Sequence, residues 1–498
     1  MKQRIFAFVG AAVLSACTMM PHYERPASPV PEHWPSDAPA TTHAQPSGAS
    51  NGGIVSADQI GWRDFFTDPR LRRLIEIALE NNRNLRIAVL NVAASEAEYR
   101  LQRGNLFPTI SATGAGLGER VPAGAAVPSG GIGASAGSSL VPSGGSGTTL
   151  HAYSAGIGFT NYELDLFGRQ RSLTTQAFEQ YLAQDESRRS TQISLVAEVA
   201  TDYFAVLADQ ALVAITLETL RSETESYQLT AAMYQQDTAT LLSLRQAESA
   251  VDSARGSLAQ YQRQLAQDTH SLTLVMGQEV AVDLPAVAED LDTEGLLAEI
   301  PEGLPSQLLT QRPDIVSAEH ALRATNANIG AARAAFFPSI QLTASGGTAS
   351  SRLSNLFQPS TGTWSFLPTI TLPIFAGGQN VANLDLAQIE KNVAIAQYEL
   401  TIQTAFREVS DALSARGTYV DQQRAQQALV AADADAYRLA EMRFRSGVDS
   451  YLSTLDAQRS LYAAQQGFVM LRQAARANQV TLYKALGGGW QQHTAAEH

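Results

Sequence analysis

The chain has 498 residues, 45% of them hydrophobic and 17% charged, with 48 acidic against 35 basic side chains and a net charge of −13. The charged share lies below the ~25% of ordinary soluble domains, and a negative balance with no segregated basic patch excludes nucleic acid as a partner by composition. A single cysteine excludes an internal disulfide.

Lys2 and Arg4 precede an apolar core from Ile5 to Leu14 and the small-residue stretch Leu14-Ser15-Ala16-Cys17, so residues 1–16 read as a signal peptide. At about 10 residues the core is too short to span a bilayer, which takes about 20. Leu-Ser-Ala-Cys resembles the bacterial lipobox, whose cysteine becomes the diacylated N-terminus of the mature chain. That resemblance makes Cys17 the expected lipidation site, and Thr18 rather than Asp at the next position suits sorting to the outer membrane. Residues 17–61 follow as a lipidated tether, because Pro21 to Gly61 is rich in Pro, Ala, Ser and Gly and carries no periodic pattern.

Gly61 to Phe66 reads as a docking segment, and Asp68-Pro69 opens a helix of about 36 residues to about Arg103, with Pro in its first turn. Phe107-Pro108 ends it. Thr109 to Gly118 alternates small and polar residues, Glu119 to Thr149 is a loop of Gly, Ser, Ala and Pro, and Tyr153, Ala155, Ile157 and Phe159 then alternate with Ser154, Gly156, Gly158 and Thr160. This period of two is a strand with one apolar and one small polar face. From Arg169 to Arg255 there is neither glycine nor proline. The expected rod, Arg169–Gln236, is about 68 residues and hence about 100 Å long at 1.5 Å per residue, far beyond the usual helix of about 11–12 residues. Its break is expected at Asp237-Thr238-Ala239-Thr240, with a shorter helix over Leu241–Met276. Asp283 to Pro305 carries acidic residues and three prolines, as a linker would. Beyond it come a helix over Ser306–Arg333, an alternating strand with Ile340, Leu342 and Ala344, a second with Trp364, Phe366, Pro368, Ile370 and Leu372, a second rod over Gln379–Ser446, and a helix over Asp449–Leu486.

The halves can be laid over each other. Asn84-Leu85 to Phe107-Pro108 matches Asp314-Ile315 to Phe337-Pro338 at an offset of about 230, which becomes about 210 where Asp237 pairs with Gly447, Gln246 with Asp456 and Gly277 with Gly487. The chain is therefore an internal duplication. Repeat 1 is expected over 62–283 with a β-hairpin at about 108–163, an equatorial linker over 284–305, repeat 2 over 306–490 with a hairpin at about 338–374, and a tail over 491–498. Two of the shorter helices laid end to end match one rod.

Strands of about 10 residues, apolar on one face and small-polar on the other, are those of a transmembrane β-barrel. Four cannot close one, since about eight is the minimum and open edges are forbidden in lipid. Oligomerisation follows, and a water-filled lumen favours three copies, giving 12 strands. The expected fold is an α+β membrane protein: a trimeric 12-stranded transmembrane β-barrel, four strands per protomer, continuous with a long periplasmic α-helical barrel.

Glu163-Leu164-Asp165-Leu166-Phe167-Gly168-Arg169, Arg312-Pro313-Asp314-Ile315, Ala331 to Ile340, Leu372-Pro373-Ile374-Phe375 and Tyr483 to Trp490, together with the lipobox, resemble the TolC-like outer-membrane channels of tripartite efflux pumps, in the lipoprotein branch typified by OprM. The resemblance covers essentially the whole chain. It implies a homotrimer in outer-membrane lipid, served by a periplasmic adaptor (membrane fusion) protein and an inner-membrane RND-type pump, with no cofactor, metal or nucleic acid, passing drugs or other small molecules to the exterior. Export in another tripartite system, for metal ions or type I secretion, stays open, as does a membrane-anchored coiled-coil scaffold without a lumen. No HExxH, CxxC, nucleophile elbow, P-loop or dinucleotide fingerprint suggests an enzyme. The resemblance places a closed constriction at the periplasmic helix tips, with Asp449, Asp456, Tyr451, Arg445 and Asp237 as candidate gate residues. Asp449 and Asp456, seven apart, are expected on one helical face, each forming a ring of three carboxylates in a trimer.

Overall fold

The computed structural model describes residues 18–31, 59–121, 148–279 and 311–494. The signal peptide, Cys17, most of the tether, the linker 284–305 and the last four residues of the tail lie outside the described residues. After a single helical turn at Trp62–Phe65 the elements are α1 (Pro69–Asn81), α2 (Arg83–Gly104), β1 (Ser111–Val121), β2 (Thr148–Leu164), α3 (Arg169–Gln235), α4 (Leu241–Met276), α5 (Pro313–Ala334), β3 (Ser339–Ser350), β4 (Gly362–Thr371), α6 (Gln379–Arg445) and α7 (Tyr451–Ala485). Both rods, α3 and α6, run 67 residues, about 100 Å at the helical rise. The strands extend into what reads in the sequence as a loop, for β1 continues to Val121 and β2 begins at Thr148.

The helix expected over 68–103 is two helices. Asn82 stands between them in extended backbone (ψ 129°), its Oδ1 accepting from the Leu85 N–H at 2.9 Å and its Nδ2 donating to the Val275 carbonyl at 2.6 Å. A short amide that satisfies one of the first orphan donors of α2 and a last carbonyl of α4 competes with helix continuation, and here it wins. The second repeat makes the corresponding contact with another side chain. Arg312 donates to the Ala485 carbonyl at 2.6 Å and holds Asp314 and Glu408 at 2.7 and 3.1 Å.

The chain forms two compact units that cut across the repeats. One holds the described residues of Met1–Arg25, Ala93–Leu182 and His320–Ala396, including the sheet. The other holds the described residues of Pro26–Val92, Ala183–Glu319 and Gln397–His498, with the continuous apolar core. In that core Trp62, Phe65, Phe66, Leu71 and Leu74 pack with Val199, Tyr203, Phe204 and Tyr483, and the Phe65 and Tyr483 rings stack at 3.9 Å. Each such side chain removed from water contributes about 1.5–3 kcal/mol. The residues that begin the tail are not loose: the Trp62 N–H donates to the Gln491 carbonyl at 2.9 Å, and the Thr494 N–H to the Asp64 carboxylate at 2.7 Å. Among the described residues α3 alone is long and apolar enough to cross a membrane, but half of that window is buried inside the protein, as core packing requires.

Candidate functional site: the sheet and the helix tips

The four strands form one antiparallel sheet in the order β1-β2-β3-β4, so the two repeats meet where β2 pairs with β3. At Gly156 opposite Gly347 the backbones approach so closely that a Cβ on Gly347 would collide with the Ala155 carbonyl. Asn161, in left-handed backbone (φ 55°), marks a bulge between Phe159 and Tyr162, and the Tyr162 hydroxyl donates to the Leu106 carbonyl at 3.1 Å. Every residue of β4 is exposed, Trp364 to 84%, and apolar exposure continues beyond the strand to Ile374 and Phe375 at 92% and 91%. An edge strand dressed this way in one protomer requires lipid or a neighbouring chain to cover it. The sheet passes into α3 through Asp165, whose carboxylate accepts from the Arg171 backbone and guanidinium, while Glu163 holds Arg169 at 2.9 Å. The Phe167 and Phe337 rings stack beneath at 4.8 Å.

In this same unit the residues that follow Cys17 lie against α5. Asn326 donates to the Pro21 carbonyl at 2.9 Å, and the Arg323 guanidinium sits 5.1 Å over the Tyr23 ring.

The second unit contains both helix-turn tips. Each rod ends in the same turn: Thr238 N–H bonds the Met233 carbonyl and Asp237 N–H that of Tyr234, as Val448 bonds Arg443 and Gly447 bonds Phe444. Asp237 at φ 56° takes the left-handed conformation that Gly447 takes at 72°, so the missing glycine does not alter the backbone. The tips differ in side chains. Arg443 grips Asp449 at 2.6 and 3.1 Å, where the first tip has Met233 and Ala239 at the corresponding places. Asp449 and Asp456 do not share a helical face, because α7 begins at Tyr451 after Ser450, leaving Asp449 in the turn and Asp456 alone on the helix, exposed. Arg443 holds the Asp449 carboxyl below the usual carboxylate range. Arg445 pairs with Glu441 at 2.6 Å rather than with either aspartate.

Tyr451 is buried with Phe444 and Leu455 against Ala247 and Ala250, and its hydroxyl donates to the buried Glu223 carboxylate at 3.2 Å. Burial pushes the Glu223 carboxyl up, against the opposing pull of Tyr451 and Arg459. Two more hydroxyl pairs tie α3 to the second repeat farther from the tip, Ser222 with Tyr437 of α6 and Thr216 with Tyr462 of α7, each at 2.8 Å. Glu223, Ser222, Tyr437, Thr216 and Tyr462 escape the sequence reading. The available signal is the set of three tyrosines on repeat-2 helices facing the polar stretch of α3 that includes Ser222 and Glu223. Among the described residues no cluster of His, Cys, Asp or Glu is built to hold a metal ion.

An open sheet with exposed apolar side chains, together with helices of 67 residues, defines the protomer of an outer-membrane β-barrel channel. The family described as outer membrane efflux protein matches residues 74–278 and 304–488. The toluene efflux pump outer membrane protein TtgC and the antibiotic efflux pump outer membrane protein ArpC, both of Pseudomonas putida, are each 49% identical over 486 residues, covering 98% of this chain and 95% of theirs. The crystal structure of the open state of the Neisseria gonorrhoeae MtrE outer membrane channel superposes with a TM-score of 0.82 at 37% identity, over 96% of this chain and all of that one. The chain belongs to the outer membrane efflux protein family. It is an outer-membrane efflux channel with the expected fold class, each protomer giving four strands to a trimeric 12-stranded β-barrel and its long helices to a periplasmic α-helical barrel.

Proposed function

We propose that three copies form a passive conduit that is loaded from the periplasm by an adaptor protein and an inner-membrane RND-type pump, with Cys17 acylated in the inner leaflet of the outer membrane. The observation that carries this is the open sheet, whose edge strands β1 and β4 have no further strand beside them among the described residues. Edges cannot persist in lipid, so they close against other copies, and a barrel of 12 strands encloses water. No part of the chain chooses cargo in this reading. TtgC and ArpC match this chain equally well although one is named for toluene and the other for an antibiotic, as expected if selection belongs to the pump. Pro21 and Tyr23 seated on α5 support an anchor within the unit that holds the sheet.

The gate proposed here is the second-repeat tip, with Tyr451 on Glu223 and Asp449 on Arg443 as closing contacts, Arg445 and Asp237 flanking them, and Asp456 as the exposed carboxylate whose threefold ring attracts cations. Planar-bilayer recording tests both conduit and gate. Stepwise conductance is expected, with cation preference reduced by Asp456→Asn; a reconstituted protein that never conducts, even with Tyr451→Phe and Asp449→Asn combined, identifies a scaffold instead. Cross-linking in cells is expected to recover an adaptor and a pump of the RND type, and recovery of a type I secretion or metal-efflux partner would replace that assignment.

A further inference from the structure

In the first repeat, α3 and α4 meet along a row of carboxylates. Asp209 on α3 is 6% exposed, no donor reaches its Oδ2, and Asp268 on α4 is the charged group that acts on it. Asp268 in turn accepts from Gln264 Nε2 at 3.1 and 3.2 Å. A turn or two along the same pair of helices, the Asp202 carboxylate accepts from Ser271 Oγ at 3.2 Å, and burial together with Glu198 and Asp268 pushes the Asp202 carboxyl up. The titratable groups facing Asp209 are Asp268 and Tyr261 of α4, with Tyr462 of α7 beside Tyr261 and with Asp202 and Glu198 on its own helix. None of these is a cation. Two ionised carboxylates pressed together out of water repel strongly, and a hydrogen bond between them needs a proton.

The duplication supplies an internal control. At the repeat offset of about 210, Asn478 stands where Asp268 does and Ala412 where Asp202 does. There Asn478 Nδ2 donates to the Ala412 carbonyl at 2.9 Å, a neutral clasp indifferent to pH. The first repeat joins the corresponding helices with acids instead.

We propose that the buried Asp209 carboxyl keeps a proton in mildly acid medium and donates it to Asp268, a pH-dependent clasp between α3 and α4 that is closed by that proton and opened by repulsion when it leaves. The consequence is an asymmetric helical barrel. Alkaline periplasm loosens the first-repeat helix pair of each protomer and leaves the second-repeat pair unchanged.

Burial, reinforced by Asp268, pushes the Asp209 carboxyl up to about 7. The folded chain thus keeps a proton that the unfolded chain releases near the ordinary value of about 4, so stability declines as pH rises from about 4 and the loss is complete once pH passes the folded value. Two readouts on the full chain in detergent test this. The thermal midpoint of the wild type is expected to fall between about pH 5.5 and about pH 8.5, with about one proton per protomer released over that range. A protonated-carboxyl infrared band is expected at the acid end and absent at the alkaline end. Asp209→Asn and Asp268→Asn each remove the repulsion, so either variant that folds should lose the band and much of the slope, and exceed the wild type in midpoint at the alkaline end. A wild-type infrared spectrum with no titrating carboxyl band overturns the proposal, and so do a band and slope that the variants retain.

Discussion

Asn82 and Arg312 occupy equivalent places in the two repeats and reach equivalent carbonyls, Val275 and Ala485, by an amide in one case and a guanidinium in the other. The sequence run Asn81-Asn82-Arg83-Asn84 carried the signal for the break between α1 and α2, but the helical periodicity of its flanks conceals it. What decides the matter is the Val275 carbonyl, 193 positions away in the chain. Asn82→Ala removes a cap and leaves that buried carbonyl unpaired, which should cost about 1–3 kcal/mol in chemical unfolding. A loss within measurement error would show that the break is imposed by the surrounding packing and not by this side chain. At the tip, Asp449→Asn should raise hydrogen exchange across Arg443–Leu452 while leaving the first-repeat tip unchanged. Because Arg443 holds the Asp449 carboxyl low, the pairing is fully present above the ordinary carboxylate value and disappears as pH falls through the depressed one, so acid should reproduce the Asn variant. Equal exchange in both proteins at neutral pH would mean that the ion pair does not hold the turn.

Among the elements, the rods, the tip break at Asp237 and the alternating strands were legible because each depends on composition within a short window. Absence of glycine and proline makes a rod, and a period of two makes a strand. The length of the hairpin was less legible, since Glu119 to Val121 and Thr148 to Thr149 are strand although their setting is rich in Gly and Ser. Cross-strand pairing with β2 overrides local propensity there. The alignment of Asp237 with Gly447 identified the right positions, whereas the left-handed backbone they share becomes visible only in the dihedral angles. An aspartate in that conformation is strained by roughly 1 kcal/mol relative to glycine. Asp237→Gly should therefore stabilise the first tip by about that amount and Gly447→Ala should destabilise the second by a similar one, both read from local exchange. A neutral Asp237→Gly would mean that the side chain of Asp237 makes a compensating contact at the tip.

At the scale of the whole molecule, the duplication was legible in the two offsets, but the compact units were not, because each is assembled from both repeats. Sequence similarity between halves records ancestry, while compactness follows contact, and the two need not coincide. Strand number did carry over: four strands per chain, in an open sheet, force association whatever the anchor does. Cys17→Ser is accordingly expected to abolish acyl labelling without preventing assembly, and label persisting on that variant would place the lipid elsewhere.

Native mass spectrometry of the detergent-purified particle reads the number of chains in the barrel directly. A single species of three chains is expected, against 53.3 kDa for one full-length chain. A monomer, or a dimer that conducts in a bilayer, would contradict it.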